Sequence, residues 1–393
     1  MRAGAAAPSL PQPWTRRRIG AAAIQAAVLI AVGAVLWLAA TNAASNLSRL
    51  GINTGFAFLW RPAGFAISQT LIPYSESSPY LTALAVSALN TVVLAVVSVL
   101  VATPIGFAIG LGRRSANGLV RGASTAYVEF LRNIPLLLQM FFWYFALLRP
   151  LPPPRQSLTL LGAIALNARG LFLPMPVAEA GFGTVLVALA AGIALAVVAA
   201  RMLARRRAAT GDAPRTAPIT AALALGPALV AALATGIPLH WDLPHLQGFN
   251  YQGGLAVQPE LVAMALSLSL YSAAYIAEIV RAGLDAVPRG QIEAARSLGL
   301  KPAKVYGKIV VPQALRVIVP PLGNEYLRLF RNTTLAAAIG YPDLTMVFGG
   351  TVLNQTAQAF EVMIIVCAVY LAINAAVSTV INWYNRRIAV VHR

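Results

Sequence analysis

Charged and amide side chains interrupt two otherwise apolar stretches, and these side chains have the greatest capacity for chemistry in the sequence. Glu129 and Arg132 are three residues apart, as are Glu325 and Arg328, and Arg331 follows one turn later. On helices, each set lies on one face and can neutralise itself. Charges at membrane depth are costly and face a bundle interior or a wet cavity. The sequence leaves two readings open, in which these groups either pair to fix a bundle or line a passage.

Motifs of common enzyme chemistry are missing from the sequence. Gly307-Lys308 does not complete a G-x-x-x-x-G-K-[ST] phosphate loop, and neither H-E-x-x-H nor G-x-S-x-G occurs. A single cysteine, Cys367, and three scattered histidines favour no metal centre. We therefore expect no catalytic residue, metal site or cofactor in this chain. Work against a gradient would need an ion gradient or another polypeptide as its energy source.

The composition indicates a membrane protein. Hydrophobic residues make up 58% and charged residues 11% of the 393 positions, whereas soluble domains carry roughly 25% charged residues. A spanning helix needs about 20 apolar residues. We predict an all-α, polytopic membrane helix bundle with about eight transmembrane helices, at 19–40, 81–112, 119–148, 181–200, 217–239, 261–284, 313–340 and 362–385.

Basic residues set the predicted orientation. Lys and Arg collect in cytoplasmic loops, and placing both termini inside leaves few of the 30 basic residues in outer loops. The net charge of +18 therefore needs no nucleic-acid partner. Segment 19–40 is longer than the usual apolar region of a signal peptide, so a retained helix is favoured. The Pro-, Gly-, Ser- and Asn-rich outer loops at about 41–80 and 149–180 are predicted to be irregular, with at most short interfacial helices.

A cytoplasmic segment, 285–312, is predicted to form a short helix between two spans. Residues 289–298 are good helix formers, and Gly299 stands where a helix cap needs the left-handed conformation. Pro302 suits the first turn of a second helix, which we expect to end near Val311-Pro312.

The face of that short helix has two interpretations. Ile292, Ala295 and Leu298-Gly299 are predicted to share a side that fits a groove in another protein, and Glu293 can pair with Arg296. The same residues also allow an amphipathic helix resting on anionic headgroups.

The spacing of this segment carries a family resemblance. Glu293-Ala294-Ala295, Gly299, Ile309 and Val311-Pro312 resemble the E-A-A-x3-G-x9-I-x-L-P loop of ATP-binding-cassette importer permeases, with valine for leucine at 311. In that family the short helix docks into the ATPase subunit and transmits its closure to the spans. The resemblance implies ATPase coupling by Glu293, Ala294, Ala295, Leu298 and Gly299.

Further stretches indicate which group of importer permeases the sequence resembles. Residues 132–139, RNIPLLLQ, are similar to the R-G-T-P-L-L-V-Q stretch of polar amino-acid permeases of the histidine, glutamine and arginine type. Residues 275–283 and 332–335 also look like that group. The resemblance covers roughly 81–148 and 258–386, a type I importer core of five spans. The extra first helix and the inserted pair resemble the longer permease subunits of general L-amino-acid importers.

This resemblance implies an organisation and a set of partners. The expected parts are a cytoplasmic tail (1–18), an extra helix (19–40), a periplasmic loop (41–80), a divided core (81–148 and 259–386), an insertion with two helices (149–258) and a cytoplasmic tail (387–393). The expected partners are two cytoplasmic ATPases that bind ATP and magnesium, a second permease, which is a paralogue or a second copy, and a periplasmic amino-acid-binding protein. The expected location is the inner membrane of a bacterium.

The embedded charges gain a specific interpretation from the resemblance. Glu129, Arg132, Asn133, Glu325, Arg328, Asn332 and Thr333 are candidates for lining the passage of an amino acid, whose carboxylate and ammonium carry opposite charges. The expected function is alternating-access import of polar or general L-amino acids, driven by a separate ATPase. An ion-coupled secondary amino-acid transporter and a non-transporting membrane scaffold are the alternatives.

Overall fold

The computed structural model describes residues 16–49, 55–210 and 216–388. Most of the predicted cytoplasmic tails and the predicted turn at 211–215 lie outside these ranges. The long helices are α1 Arg16–Arg49, α2 Tyr80–Gly112, α3 Gly118–Asn133, α5 Phe182–Thr210, α6 Thr216–Ala234, α7 Pro259–Asp285, α10 Val311–Asn332 and α12 Ala359–Ile388. Shorter helices are α4 Leu136–Phe141, α8 Arg289–Ser297, α9 Pro302–Val305 and α11 Leu353–Thr356.

Tight and wide turns extend several of these helices. A wide π-helical turn, Phe142–Leu148, continues α4, and a second one, Tyr306–Val310, joins α9 to α10. A 3-10 turn, Thr333–Ile339, follows α10, and a third π-helical stretch, Thr345–Val352, leads to α11. The second cytoplasmic helix therefore does not end near Val311-Pro312 as predicted. Pro312 lies in the first turn of α10, where its missing N–H costs no hydrogen bond.

Five helices within the described ranges are long and apolar enough to cross a membrane: α2, α5, α6, α7 and α12. The predicted span 119–148 is bent by 102° between α3 and the α4 segment, and it makes a sixth crossing if it counts as one. Two further predicted spans, 19–40 and 313–340, are not among these five. The part of 19–40 whose side chains the structure describes includes the apolar stretch Ala23–Ala39, and α10 carries Arg316, Glu325, Arg328 and Arg331. The helix nevertheless runs without a break through Pro320 and Pro321.

Helix α7 lies at the centre of the core, against α2, α3 and α10. A Cβ on Gly110 of α2 would lie 2.7 Å from the Cβ of Val280, so only glycine permits this approach. The small-residue pair Gly106 and Gly110 thus serves contact between two helices of one chain. Two buried apolar clusters lie along α7. The cluster at its first half includes Leu94, Met264 and Leu268, and the cluster at its second half includes Ile276, Val280 and Ile318.

The outer insertion contains strands, contrary to the predicted irregular loop. Strands β1 Leu158–Leu160, β2 Ile164–Asn167, β3 Gly170–Leu173 and β8 Leu255–Val257 form an antiparallel sheet in that order. Two further antiparallel pairs join β4 Met175–Ala178 to β5 Leu239–Asp242 and β6 His245–Gln247 to β7 Asn250–Gln252. Strands of three or four residues with turns of Gly and Pro leave little periodicity to read, which explains the error.

Helices α5 and α6 project from this sheet as a hairpin. They pack closely, because a Cβ on Gly192 would lie 2.6 Å from the carbonyl oxygen of Ala224. The backbone N–H of Glu179 donates to the carbonyl oxygen of Pro238 at 3.1 Å, which closes the base of the hairpin. The hairpin is therefore an inserted unit whose two ends meet at one point of the outer sheet.

Candidate functional site: helix α8 and a charged cluster on α7

The cap of α8 has the geometry that the sequence predicts. Gly299 adopts the left-handed conformation, with φ of 74°. Its N–H donates to the carbonyl oxygen of Arg296 at 2.9 Å, and the N–H of Leu300 donates to that of Ala295 at 3.3 Å. These two bonds form a Schellman motif, which satisfies carbonyl groups at the end of the helix. Gly299 thereby fixes the direction in which the chain leaves α8.

Burial divides the residues of α8 between two faces. Ala295 is 3% exposed and packs in a cluster with Val287, Val305 and Ala314. Glu293, Ala294 and Gly299 are exposed, and Leu298 is 80% exposed. The face proposed from the sequence is therefore wrong in its membership, because Ile292 and Ala295 pack onto the chain's own core. Ala295 holds α8 in place. The other four residues predicted to couple to the ATPase form the outward face of α8: Glu293, Ala294, Leu298 and Gly299.

A shallow cleft beside α8 adds an open surface at this end of the molecule. It measures about 450 Å³ and is lined partly by Ala294, Leu298, Lys308 and Arg316. Gln313 Nε2 donates to Gln291 Oε1 at 2.5 Å, which ties α8 to the start of α10. The predicted pair of Glu293 with Arg296 is not among the ion pairs of the described residues. Motion of α8 would reach α10 through the Gln313–Gln291 hydrogen bond and through the cluster that contains both Ala295 and Ala314.

The break between α3 and α4 positions the second candidate group. Ile134 is extended and Pro135 precedes α4, so the helix cannot continue through this point. Gln139 Nε2 donates to the carbonyl oxygens of Leu131 and Ile134, both at 2.9 Å. The buried amide side chain thereby satisfies carbonyl groups that the break frees. Arg132 is held at the end of α3 as a result.

Arg132 and Arg328 meet at the ring of Tyr275 on α7. The guanidinium carbon of Arg132 lies 4.9 Å from the ring centroid, and that of Arg328 lies 3.6 Å from it. Cations stack favourably on an aromatic face. The hydroxyl oxygens of Tyr275 and Tyr271 are 3.1 Å apart. Helix α7 therefore brings together side chains that the sequence places almost 200 residues apart.

The predicted intrahelical pairs have different outcomes. Glu325 and Arg328 form an ion pair, as predicted, and Glu325 is 5% exposed. Arg132 does not pair with Glu129, which is exposed, but lies 3.9 Å from Glu278 on α7. The bend after α3 turns Arg132 towards α7 and accounts for the wrong partner.

The remaining candidates lie nearby in the chain, and none of them contacts the Tyr275 ring or joins the ion pairs of the described residues. Asn133 is exposed and Asn332 is half-buried. Thr333 is buried, and its hydroxyl donates to the carbonyl oxygen of Phe330 at 2.8 Å, a local bond of the 3-10 turn. Their predicted role in a passage stays a prediction.

Three residues of α7 complete the cluster: Tyr271, Tyr275 and Glu278. None of them was predicted to be a site residue. Their spacing of four and three residues places them on one helix face, which is the signal that identifies them. Glu278 forms ion pairs with Arg113 of α2 and with Arg281, the latter at 2.5 Å.

The ion pairs continue towards the C-terminal end of α7. Asp285 accepts from Arg281 at 2.9 Å and pairs with Arg114 at 3.3 Å. The network joins the ends of α2, α3 and α7 directly before α8. The described residues contain no group of three or more metal-ligating side chains.

Comparisons with known proteins identify the relatives of this chain. Residues 102–390 match the family model described as the binding-protein-dependent transport system inner membrane component. The chain is 48% identical to the putative amino-acid ABC transporter permease protein YhdX of Escherichia coli, over 93% of both chains. It is 46% identical to the general L-amino acid transport system permease protein AapQ of Rhizobium johnstonii, over 93% of this chain and 91% of that one.

A third relative has a narrower description. The chain is 38% identical to the glutamate/glutamine/aspartate/asparagine transport system permease protein BztB of Rhodobacter capsulatus, over 93% of this chain and 92% of that one. The matches cover the core and the insertion together, and they give no support to an ion-coupled transporter. The chain belongs to the binding-protein-dependent transport system inner membrane components, among the permease subunits of amino-acid ABC transporters.

Proposed function

We propose that this chain is the permease subunit of a bacterial inner-membrane importer for polar or general L-amino acids, and that it is driven by separate ATPase subunits. The observation that carries the proposal is the outward face of α8. Leu298 is 80% exposed at a helix whose opposite side is buried in the core. Leu298 also lines the open cleft beside α8 together with Ala294 and Ile309, which gives a partner a continuous apolar contact.

The proposed assembly contains two cytoplasmic ATPases that bind ATP and magnesium, a second permease and a periplasmic amino-acid-binding protein. Both termini of this chain lie in the cytoplasm, in agreement with its basic segments. Closure of the ATPases presses on α8, and the contacts of α8 with α10 carry the movement to the spans. The path opens outward to receive the amino acid, and ATP hydrolysis returns it to the inward-facing state. This chain itself performs no bond chemistry.

The proposal is tested by isolating a tagged chain from membranes. We expect an ATPase to co-purify with the wild-type chain and to be lost with Leu298→Glu, because a carboxylate in an apolar groove is costly. Leu161→Glu is the matched control, since Leu161 is 92% exposed in the outer insertion. Retention of the ATPase by Leu298→Glu would remove α8 as the docking helix.

A second measurement addresses the substrate and the energy source. Cells lacking the gene, and the same cells complemented with it, are compared for uptake across a panel of L-amino acids. We expect uptake to depend on the gene and to persist when the proton and sodium gradients are collapsed while ATP is maintained. Uptake that stops with the gradients would favour the ion-coupled alternative.

A further inference from the structure

The cluster around Tyr275 contains more positive than negative charge. Arg328 is paired with Glu325, and Glu278 is already engaged by Arg113 and Arg281. Arg132 has only the distant contact of 3.9 Å with Glu278, which exceeds hydrogen-bonding distance. With Arg114 and Asp285 included, five arginines share three carboxylates in this network.

Both arginines over Tyr275 retain unused hydrogen-bonding capacity. Among the residues that the structure describes, none accepts a hydrogen bond from Arg132, and its side chain is 41% exposed. The buried Nε of Arg328 also lacks a partner in the described part of the chain. A guanidinium offers five donors in a planar fork. Arg132 therefore presents free donors and positive charge at an exposed position, beside the partly exposed side chain of Arg328.

The ligand that satisfies this arrangement is a carboxylate. Arginine binds carboxylates through two parallel hydrogen bonds, and such charge-assisted bonds are among the strongest in proteins. The stacking of both guanidinium groups on one ring restricts their orientation, so less freedom is lost when an anion binds. Glu325 is buried and occupied by Arg328, which leaves it poorly placed to receive a substrate's ammonium group.

We propose that Arg132 and Arg328, held over Tyr275, form an anion subsite of the translocation path that favours an amino acid with a side-chain carboxylate over the corresponding amide. This inference rests on the proposed function. The α-carboxylate is common to all substrates, so discrimination comes from the second carboxylate. Arg132 acts as the specificity-determining residue because its charge is the least compensated in the cluster.

The test uses the complete transporter in proteoliposomes, with saturating external binding protein and ATP enclosed with the ATPases. Initial uptake rates of glutamate and glutamine are compared, since the two differ by one carboxylate against one amide. We expect Arg132→Gln to lower the glutamate-to-glutamine ratio at least fivefold and Arg132→Lys to lower it less. Arg121→Gln is the control, because Arg121 lies on the same helix and its described hydrogen bond is to the backbone oxygen of Ser115.

The outcomes distinguish failure of the anion subsite from failure of the proposed function on which it rests. An unchanged ratio in Arg132→Gln, with normal ATPase binding and glutamine uptake, overturns the subsite while leaving the proposed function intact. Absence of amino-acid uptake by the wild-type assembly overturns both. If Arg132→Gln does not insert, Arg328→Lys keeps the charge but loses the fork, and an unchanged ratio in that variant also contradicts the subsite.

Discussion

The Cβ atom that Gly106 lacks would lie 2.5 Å from the Cβ of Ile276, so the backbone of α2 rests directly on a side chain of α7. This contact brings α2 and α7 together next to the charged cluster, since Ile276 follows Tyr275. Atoms cannot approach this closely, so a methyl group here must force the helices apart. The alignment of Arg113 with Glu278 depends on the same contact, because both pairs join α2 to α7.

Gly106→Ala is therefore expected to destabilise the chain by about 1–3 kcal/mol through overpacking. Gly122→Ala is the control, since Gly122 lies in the exposed face of α3 and a Cβ there meets no atom within 4 Å. Thermal unfolding of both variants in detergent measures the difference. Equal melting temperatures would show that α2 and α7 separate easily at this point.

The cap of α8 provides a prediction about coupling. Gly299→Val places a β-branched residue at a φ of 74°, which strains the backbone and redirects the chain after α8. We expect normal membrane insertion and ATPase binding but at least tenfold lower uptake per ATP hydrolysed. Gly290→Val on the same helix is the control, because a Cβ there also meets no atom within 4 Å and φ is not positive. Normal uptake by Gly299→Val at normal abundance would contradict the role of the cap.

The sequence alone predicted features that depend on a few neighbouring residues, but it did not predict contacts between distant parts of the chain. The cap at Gly299 was predicted correctly because glycine, its neighbours and Pro302 act within a few residues. The ion pair of Glu325 with Arg328 was predicted for the same reason, since one helix supplies both partners. The partner of Arg132 was not, because the bend at Pro135 and the position of α7 decide it.

The outer sheet shows the same limit. Strand β3 pairs with β8 across the whole inserted hairpin, with Leu171 opposite Val257. No pattern within either three- or four-residue strand specifies that pairing, and the intervening apolar helices dominate the sequence signal. The burial of Ala295 could not be predicted from the sequence either, because it depends on how α8 folds back against Val305 and Ala314.

Glu278 should contribute more to stability than Asp285, although both accept from Arg281. Glu278→Gln leaves Arg113 without its ion-pair partner, and the Arg113 side chain is only 14% exposed. Allowing for partial solvation, we expect a loss of about 1–2 kcal/mol in the free energy of unfolding. Asp285→Asn should cost less than about 1 kcal/mol, because its carboxylate is 45% exposed. Denaturant unfolding of the two variants gives the comparison, and the reverse order would place the main link between α2 and α7 elsewhere.

The hairpin of α5 and α6 is expected to be dispensable for assembly of the core. The N–H of Glu179 and the carbonyl oxygen of Pro238 are 3.1 Å apart, so residues 179–238 can be replaced by a short Gly-Ser linker without stretching the outer sheet. Because α5 and α6 contribute two membrane crossings, their removal leaves α7 and α8 in the same orientation relative to the membrane. We expect the shortened chain to insert and to co-purify with the ATPase in amounts similar to those of the full chain. As a control, a linker that replaces 171–257 removes most of β3 and all of β8, and should reduce the folded yield. Loss of ATPase binding in the first variant alone would mean that the hairpin supports the core through contacts with a partner subunit.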